Sequence, residues 1–225
     1  MESEYHPMLR DRTSPNHGRI IITGTGRSGT TFLVQLFTAL GFDTGFSLDA
    51  ALNAVDEFAN AGLERPLVDR ANPYVIKSPW FALTLDDALA AGAIQIYAAL
   101  IPIRSLFEAA QSRRRVYEEA EKRGLDGILQ PGSLWYTFDP SSQEALLAQK
   151  FHKTIFSLVK YEIPTFLLEF PRIVHDPEYL FRKLEPIMVD HGVTRSDLSA
   201  AHARTSRPEL IHHFKQGNSG ALDTR

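Results

Sequence analysis

Eight consecutive residues, Gly24-Thr25-Gly26-Arg27-Ser28-Gly29-Thr30-Thr31, combine three glycines, four hydroxyl side chains and one arginine. Glycines let the backbone turn tightly and aim several N–H groups at one point. A helix starting just beyond adds the positive end of its dipole. A phosphate or sulfate group suits such a loop. The Gly24 to Gly29 spacing has the Walker A frame, but Thr30 stands where that frame carries lysine, and the cation is Arg27, inside the loop. Two further cations close short apolar runs: Lys77 ends Tyr74-Val75-Ile76, and Arg104 follows the run ending Ile101-Pro102-Ile103. Metal-dependent phosphoryl transfer of this type normally holds magnesium on a carboxylate at a strand end. Here only one strand end, at Glu169, offers a carboxylate, and two offer cations. Side-chain cations without a metal suit a transferred group less charged than a phosphoryl, such as a sulfuryl.

These residues need strands to carry them and helices to cover the strands. Arg19 to Thr23 is a β-branched run that predicts a buried strand feeding the glycine loop. Thr30 to Leu40 has apolar residues at helical spacing and stops at Gly41. Further strands are expected at 74–77, 94–103 and 165–169. Helices are expected at about 105–122, 144–160 and 177–190, with Pro177 in a first turn. Strands alternating with helices predict an α/β chain: a three-layer P-loop NTPase-like fold with a central parallel sheet flanked by helices. Binding residues then belong at the carboxyl ends of the strands.

The 225 residues predict a single domain, with a polar tail at 1–17, a mobile loop at 124–142 and a C-terminal tail at 216–225. Lys and Arg total 24 and Asp and Glu 27, a formal charge of −3, which argues against a nucleic-acid binder. The absence of cysteine excludes disulfides, thiolate metal sites and cysteine nucleophiles, and fits a cytoplasmic location. No apolar stretch reaches the ~18 residues of a membrane span. The eight histidines have no ligand spacing, and the adjacent His212 and His213 point to different faces, so no metal site is expected. Arg113 to Arg115 reads as a solvated helix face, with contact to a bound nucleotide as the lesser alternative. Trp135, Tyr136 and Phe138 read as exposed aromatics, able to stack on an acceptor or to latch their loop.

Together the two strongest blocks resemble the sulfotransferases that use 3'-phosphoadenosine-5'-phosphosulfate (PAPS). ITGTGRSGTTFL is similar to their 5'-phosphosulfate loop in its arginine form, as in bacterial and carbohydrate-type members. The resemblance implies that Gly26, Arg27, Ser28, Gly29, Thr30 and Thr31 bind the 5' end of the co-substrate. IPIRSLFEAAQS places Arg104 and Ser112 eight residues apart, like the family's 3'-phosphate pair. A strand-end guanidinium and a helical hydroxyl can bind phosphate in any case. LLEFPRIVHDPEYLFRKLEPIM is similar to a third block and puts Phe170 near the adenine. Lys215-Gln216-Gly217 resembles the segment that wraps the 3'-phosphate, which adds Lys215 and Gly217 to the implied site.

The resemblance implies metal-independent, in-line transfer of SO3 from PAPS to a hydroxyl or amine acceptor, a carbohydrate or small metabolite. Adenosine 3',5'-bisphosphate is the product. Arg27 and Lys77 would stabilise charge growing on the bridging oxygen. Many members carry a histidine base two residues after that lysine, and here Pro79 stands there. The candidate base is Asp49, with Asp43, Asp56 and Glu57 behind it. Two alternatives stay open: a magnesium-dependent small-molecule or nucleoside kinase using Glu169, and a non-catalytic nucleotide-binding protein.

Overall fold

The computed structural model describes residues 18–53, 61–69, 71–135, 137 and 139–214. Its four strands are β1 (Arg19–Ile22), β2 (Val75–Lys77), β3 (Ile96–Ile103) and β4 (Thr165–Glu169). They form one parallel sheet in the order β2-β1-β3-β4. The helices are α1 (Thr30–Ala39), α2 (Leu48–Asn53), α3 (Phe81–Ala90), α4 (Leu106–Lys122), α5 (Gln143–Lys160), α6 (Arg172–His175), α7 (Pro177–Asp190) and α8 (Arg195–Thr205). The expected α/β class, a parallel sheet flanked by helices, is what the chain adopts.

Alternation along the strands sorts the core into two layers. Ile20, Ile22, Ala98 and Leu100 face a cluster built with α1, α7 and α8, through Leu33, Leu36, Leu180, Leu184 and Leu198. Ile21, Ala99 and Ile101 face the opposite cluster, with Phe81 and Leu85 of α3 and Leu158 of α5. A central strand covered on both faces has no room for a polar side chain, which is why β1 reads as an unbroken isoleucine run.

Four helices go beyond the sequence expectation: the short α2 and α6, and the longer α3 and α8. Helix α3 follows directly on Pro79-Trp80 and buries Phe81, Leu85 and Ala88, an i, i+4, i+7 stripe. Helix α8 begins with a capping box, in which Thr194 and Asp197 satisfy each other's backbone N–H groups. Other boundaries shift by a few residues at most: β3 starts at Ile96 rather than Ile94.

The chain steps from β1 outward to β2 and then returns to the far side of β1 as β3. The crevice at such a reversal, beyond the carboxyl ends, is where open α/β sheets bind ligands. The glycine loop leaves β1 at that point, Lys77 closes β2, and Arg104 follows β3.

Candidate functional site

Three residues of the glycine loop cap it in the left-handed region: Gly26 (φ 67°), Arg27 (φ 57°) and Gly29 (φ 87°). Side chains at such angles are strained. Close neighbours add a second restriction. A Cβ at Gly26 would lie 2.6 Å from Nη2 of Arg113, and one at Gly29 would lie 2.7 Å from the Phe170 ring. Helix α1 begins directly after Gly29, which gives its first turn no side-chain cap. Its leading amides therefore lack intrahelical partners at the mouth of the loop. Ser28 is fully buried, and its Oγ has no hydrogen-bond partner.

The loop opens on a cavity of about 980 Å³, lined by Gly26, Arg27, Gly29, Thr30, Thr31, Lys77, Arg104, Ser112 and Phe170 among others. The topology thus brings together residues from four strand ends and from α4. Arg27 Nε donates to Ser112 Oγ at 2.9 Å, and Arg104 Nη1 donates to the Arg27 carbonyl at 3.2 Å. The two sequence blocks that carry the resemblance are thereby hydrogen-bonded to each other. Arg104 is buried between the rings of Phe170 and Phe214, at 5.3 and 5.9 Å, and also donates to the His212 carbonyl. Burial pushes Arg104 down from its ordinary range, and Glu108 opposes that shift. The His212 ring is held down too, first by burial and then by Arg115, Arg27 and Arg104, which reports a positive field in the cavity.

Lys77 is 2% exposed. Its ammonium donates to Glu64 Oε1 at 2.5 Å, to the Gly62 carbonyl at 2.6 Å and to Thr31 Oγ1 at 3.3 Å. Burial lowers its pKa, Glu64 pulls it back up, and Arg27 adds a smaller lowering. Lys77 must be cationic to hold an anion, so anion binding at this ammonium weakens on the alkaline side. Glu64→Gln removes the upward pull, so that limb should move to lower pH. A pH titration of the Lys77 ammonium followed by NMR in both proteins checks this, and an unchanged or upward-shifted limb would contradict the pairing.

Glu64 was not anticipated from the sequence. It lines the cavity beside Lys77. Asp49, the residue expected to act as base, sits exposed in the first turn of α2 and does not line the cavity, although Leu52 and Asn53 from the end of that helix do. Asp43 is occupied structurally, accepting from the Gly45 and Tyr74 amides. Asp56, Glu57, Lys215, Gln216 and Gly217 lie outside the described residues, as do Tyr136 and Phe138. Glu169, the strand-end carboxylate of the kinase alternative, is 63% exposed, pairs with Arg172 at 3.9 Å and does not line the cavity. Among the described residues no cluster of three or more histidines and carboxylates has metal-site geometry. None of the described helices is long and apolar enough to cross a membrane.

The expected solvated face at Arg113 to Arg115 is corrected at its first member. Arg115 is exposed, and Arg114 pairs with Glu144 across to α5. Arg113, however, is 5% exposed and lines the cavity. Its position on α4 places it one residue after Ser112, on the inward face. Burial and the nearby Arg27 lower its guanidinium to about 9. Trp135 is likewise buried rather than exposed, because Arg113 covers its ring at 5.1 Å and its backbone N–H donates to Gln143.

No family model matches the chain, and no curated protein sequence does. Among solved structures, the sulfotransferase domain of the Synechococcus PCC 7002 olefin synthase aligns over 90% of this chain and 86% of its own, with a TM-score of 0.46 and 14% identity. At that distance, any functional reading rests on the residues of the site.

Proposed function

We propose that the chain is a PAPS-dependent sulfotransferase acting on a hydroxyl or amine acceptor. One observation carries this reading: Arg27, Lys77, Arg104 and Ser112, from separate parts of the chain, share one cavity with a glycine loop and a helix N-terminus. A polyanionic nucleotide with charge at both ends matches that layout. The residues suit the group: the amides of the first turn of α1 and the unpartnered Ser28 Oγ would hold its 5' end, Arg104 and Ser112 its 3'-phosphate, and Phe170 its base. Bound PAPS would supply an activated sulfuryl group.

The rest of the chemistry belongs to the chain. Glu64 replaces Asp49 as the proposed base, accepting the acceptor's proton as the acceptor oxygen or nitrogen bonds to sulfur. Lys77 and Arg27 hold positive charge where negative charge grows as the bond from sulfur to the bridging oxygen breaks. Thr31 and Gly62 orient the Lys77 ammonium through its hydrogen bonds.

A thermal-shift comparison tests the reading. Adenosine 3',5'-bisphosphate at about 100 times its Kd should stabilise the fold by about 2.7 kcal/mol, a rise in Tm of roughly 5–10 °C for a domain of this size. ATP with magnesium should do less, and a chelator should leave the bisphosphate shift intact. A shift seen only with ATP and magnesium would favour the kinase alternative and end this one.

A further inference from the structure

Arg113 bridges two walls of the cavity. Its Nη2 donates to the Thr25 carbonyl of the glycine loop at 2.7 Å, and its Nη1 donates to the Ser133 carbonyl at 2.6 Å. Among the described residues no carboxylate forms an ion pair with it, so a buried cation stands without an anion. Its Nε has no acceptor, and neither do Ser133 Oγ and Trp135 Nε1. Arg113, Ser133 and Trp135 are 5%, 2% and 2% exposed, and all three line the same cavity. Native proteins pair nearly all buried polar groups, so three unpaired ones side by side call for a partner. All three can donate, so the missing partner is an acceptor, and the uncompensated guanidinium calls for a negative one.

The surroundings place this wall on the acceptor side. Trp80, three residues after Lys77, meets Trp135 edge to face at 5.4 Å and is 45% exposed. Pro79, Ile128, Leu129 and Pro131 complete an apolar rim. The nucleotide's proposed cation, Arg104, points elsewhere, to Phe170 and His212. We propose that Arg113, Ser133 and Trp135 form an anion-recognising subsite that selects hydroxyl acceptors carrying a carboxylate beside a flat apolar body. The proposal rests on the sulfotransferase reading for the word acceptor, but not for the subsite itself. The planar guanidinium and the indole N–H suit the two in-plane oxygens of a carboxylate. The donor atoms are shielded from solvent, so recognition includes a small adjustment of the 128–135 segment.

The test uses 3-(4-hydroxyphenyl)propionate and its primary amide, titrated calorimetrically into the full chain with and without saturating adenosine 3',5'-bisphosphate. The acid should bind roughly tenfold tighter than the amide, as a charge-assisted hydrogen bond predicts. Arg113→Gln should bring the two within about twofold. Trp135→Phe, which keeps the ring and removes the N–H, and Ser133→Ala should each narrow the preference, and they keep the test open if Arg113→Gln fails to fold. Equal binding of acid and amide by the unaltered chain would overturn the subsite, as would a preference that survives these substitutions. An acid preference without any bisphosphate binding would overturn the nucleotide reading and leave the subsite standing. Bisphosphate binding without an acid preference would do the reverse.

Discussion

Replacing Lys77 with methionine is expected to lower kcat for sulfuryl transfer by roughly 10²–10³, the usual cost of losing one positioned donor to a developing negative charge. The side chain lies at the end of β2 with its stem buried, and methionine keeps most of that packing. Glu64 loses its partner, but its side chain is 35% exposed, so water can solvate the freed carboxylate. Fold stability should therefore change much less than turnover. The Tm rise caused by adenosine 3',5'-bisphosphate should persist, because that product lacks the sulfuryl group that Lys77 is proposed to face. Single-turnover kinetics alongside the thermal shift give the result. A variant with kcat near that of the unaltered chain would remove Lys77 from the chemistry.

The second large effect concerns Arg104. Arg104→Ala should weaken adenosine 3',5'-bisphosphate binding by roughly 30- to 5,000-fold, since truncating a buried cation paired with a phosphate costs about 2–5 kcal/mol. Arg104→Lys should recover only part of this, because an ammonium lacks the fork that binds two oxygens at once. The specific check is AMP, which has no 3'-phosphate. Its affinity should change little in Arg104→Ala when measured by calorimetry. Equal losses for AMP and the bisphosphate would mean that Arg104 acts through the loop, to which it is hydrogen-bonded at the Arg27 carbonyl.

The legible part of the site was the local part. The glycine loop, with its flanking strand and helix, is a contiguous segment whose conformation follows from residue type: three left-handed positions, two of them glycine, then a helix start. Arg104 and Ser112 were legible for the same reason, because one directly follows β3 and the other lies in the second turn of α4, eight residues on. Asp49 was chosen from a stretch with several acidic residues, where nothing in the spacing marks one above another. Glu64 outranks it because β2 and the 61–65 segment run together, with Arg65 N bonded to the Lys77 carbonyl. That contact joins positions twelve apart in the chain without any periodic signal. A charge next to an eventual lysine partner was the only available clue.

Arg113 and Trp135 show the same limit from the other side. Three successive arginines on a helix read as solvated, because arginine is almost never buried without a partner. Burial at Arg113 is decided by two backbone carbonyls, one from the glycine loop and one from Ser133, at separations of 88 and 20 residues.

By itself, then, the sequence determined the layers, the strand ends and the phosphate-type loop, because alternation, helical spacing and glycine geometry are local and strong. Only the tertiary structure decided which carboxylate meets Lys77 and that a third arginine enters the cavity. Those choices depend on the order β2-β1-β3-β4, which reverses beside β1 and folds the 61–65 and 128–135 segments over one crevice. Desolvation in that crevice then lowers the pKa values of Lys77, Arg104 and Arg113 together, a property of shared burial that no single segment contains.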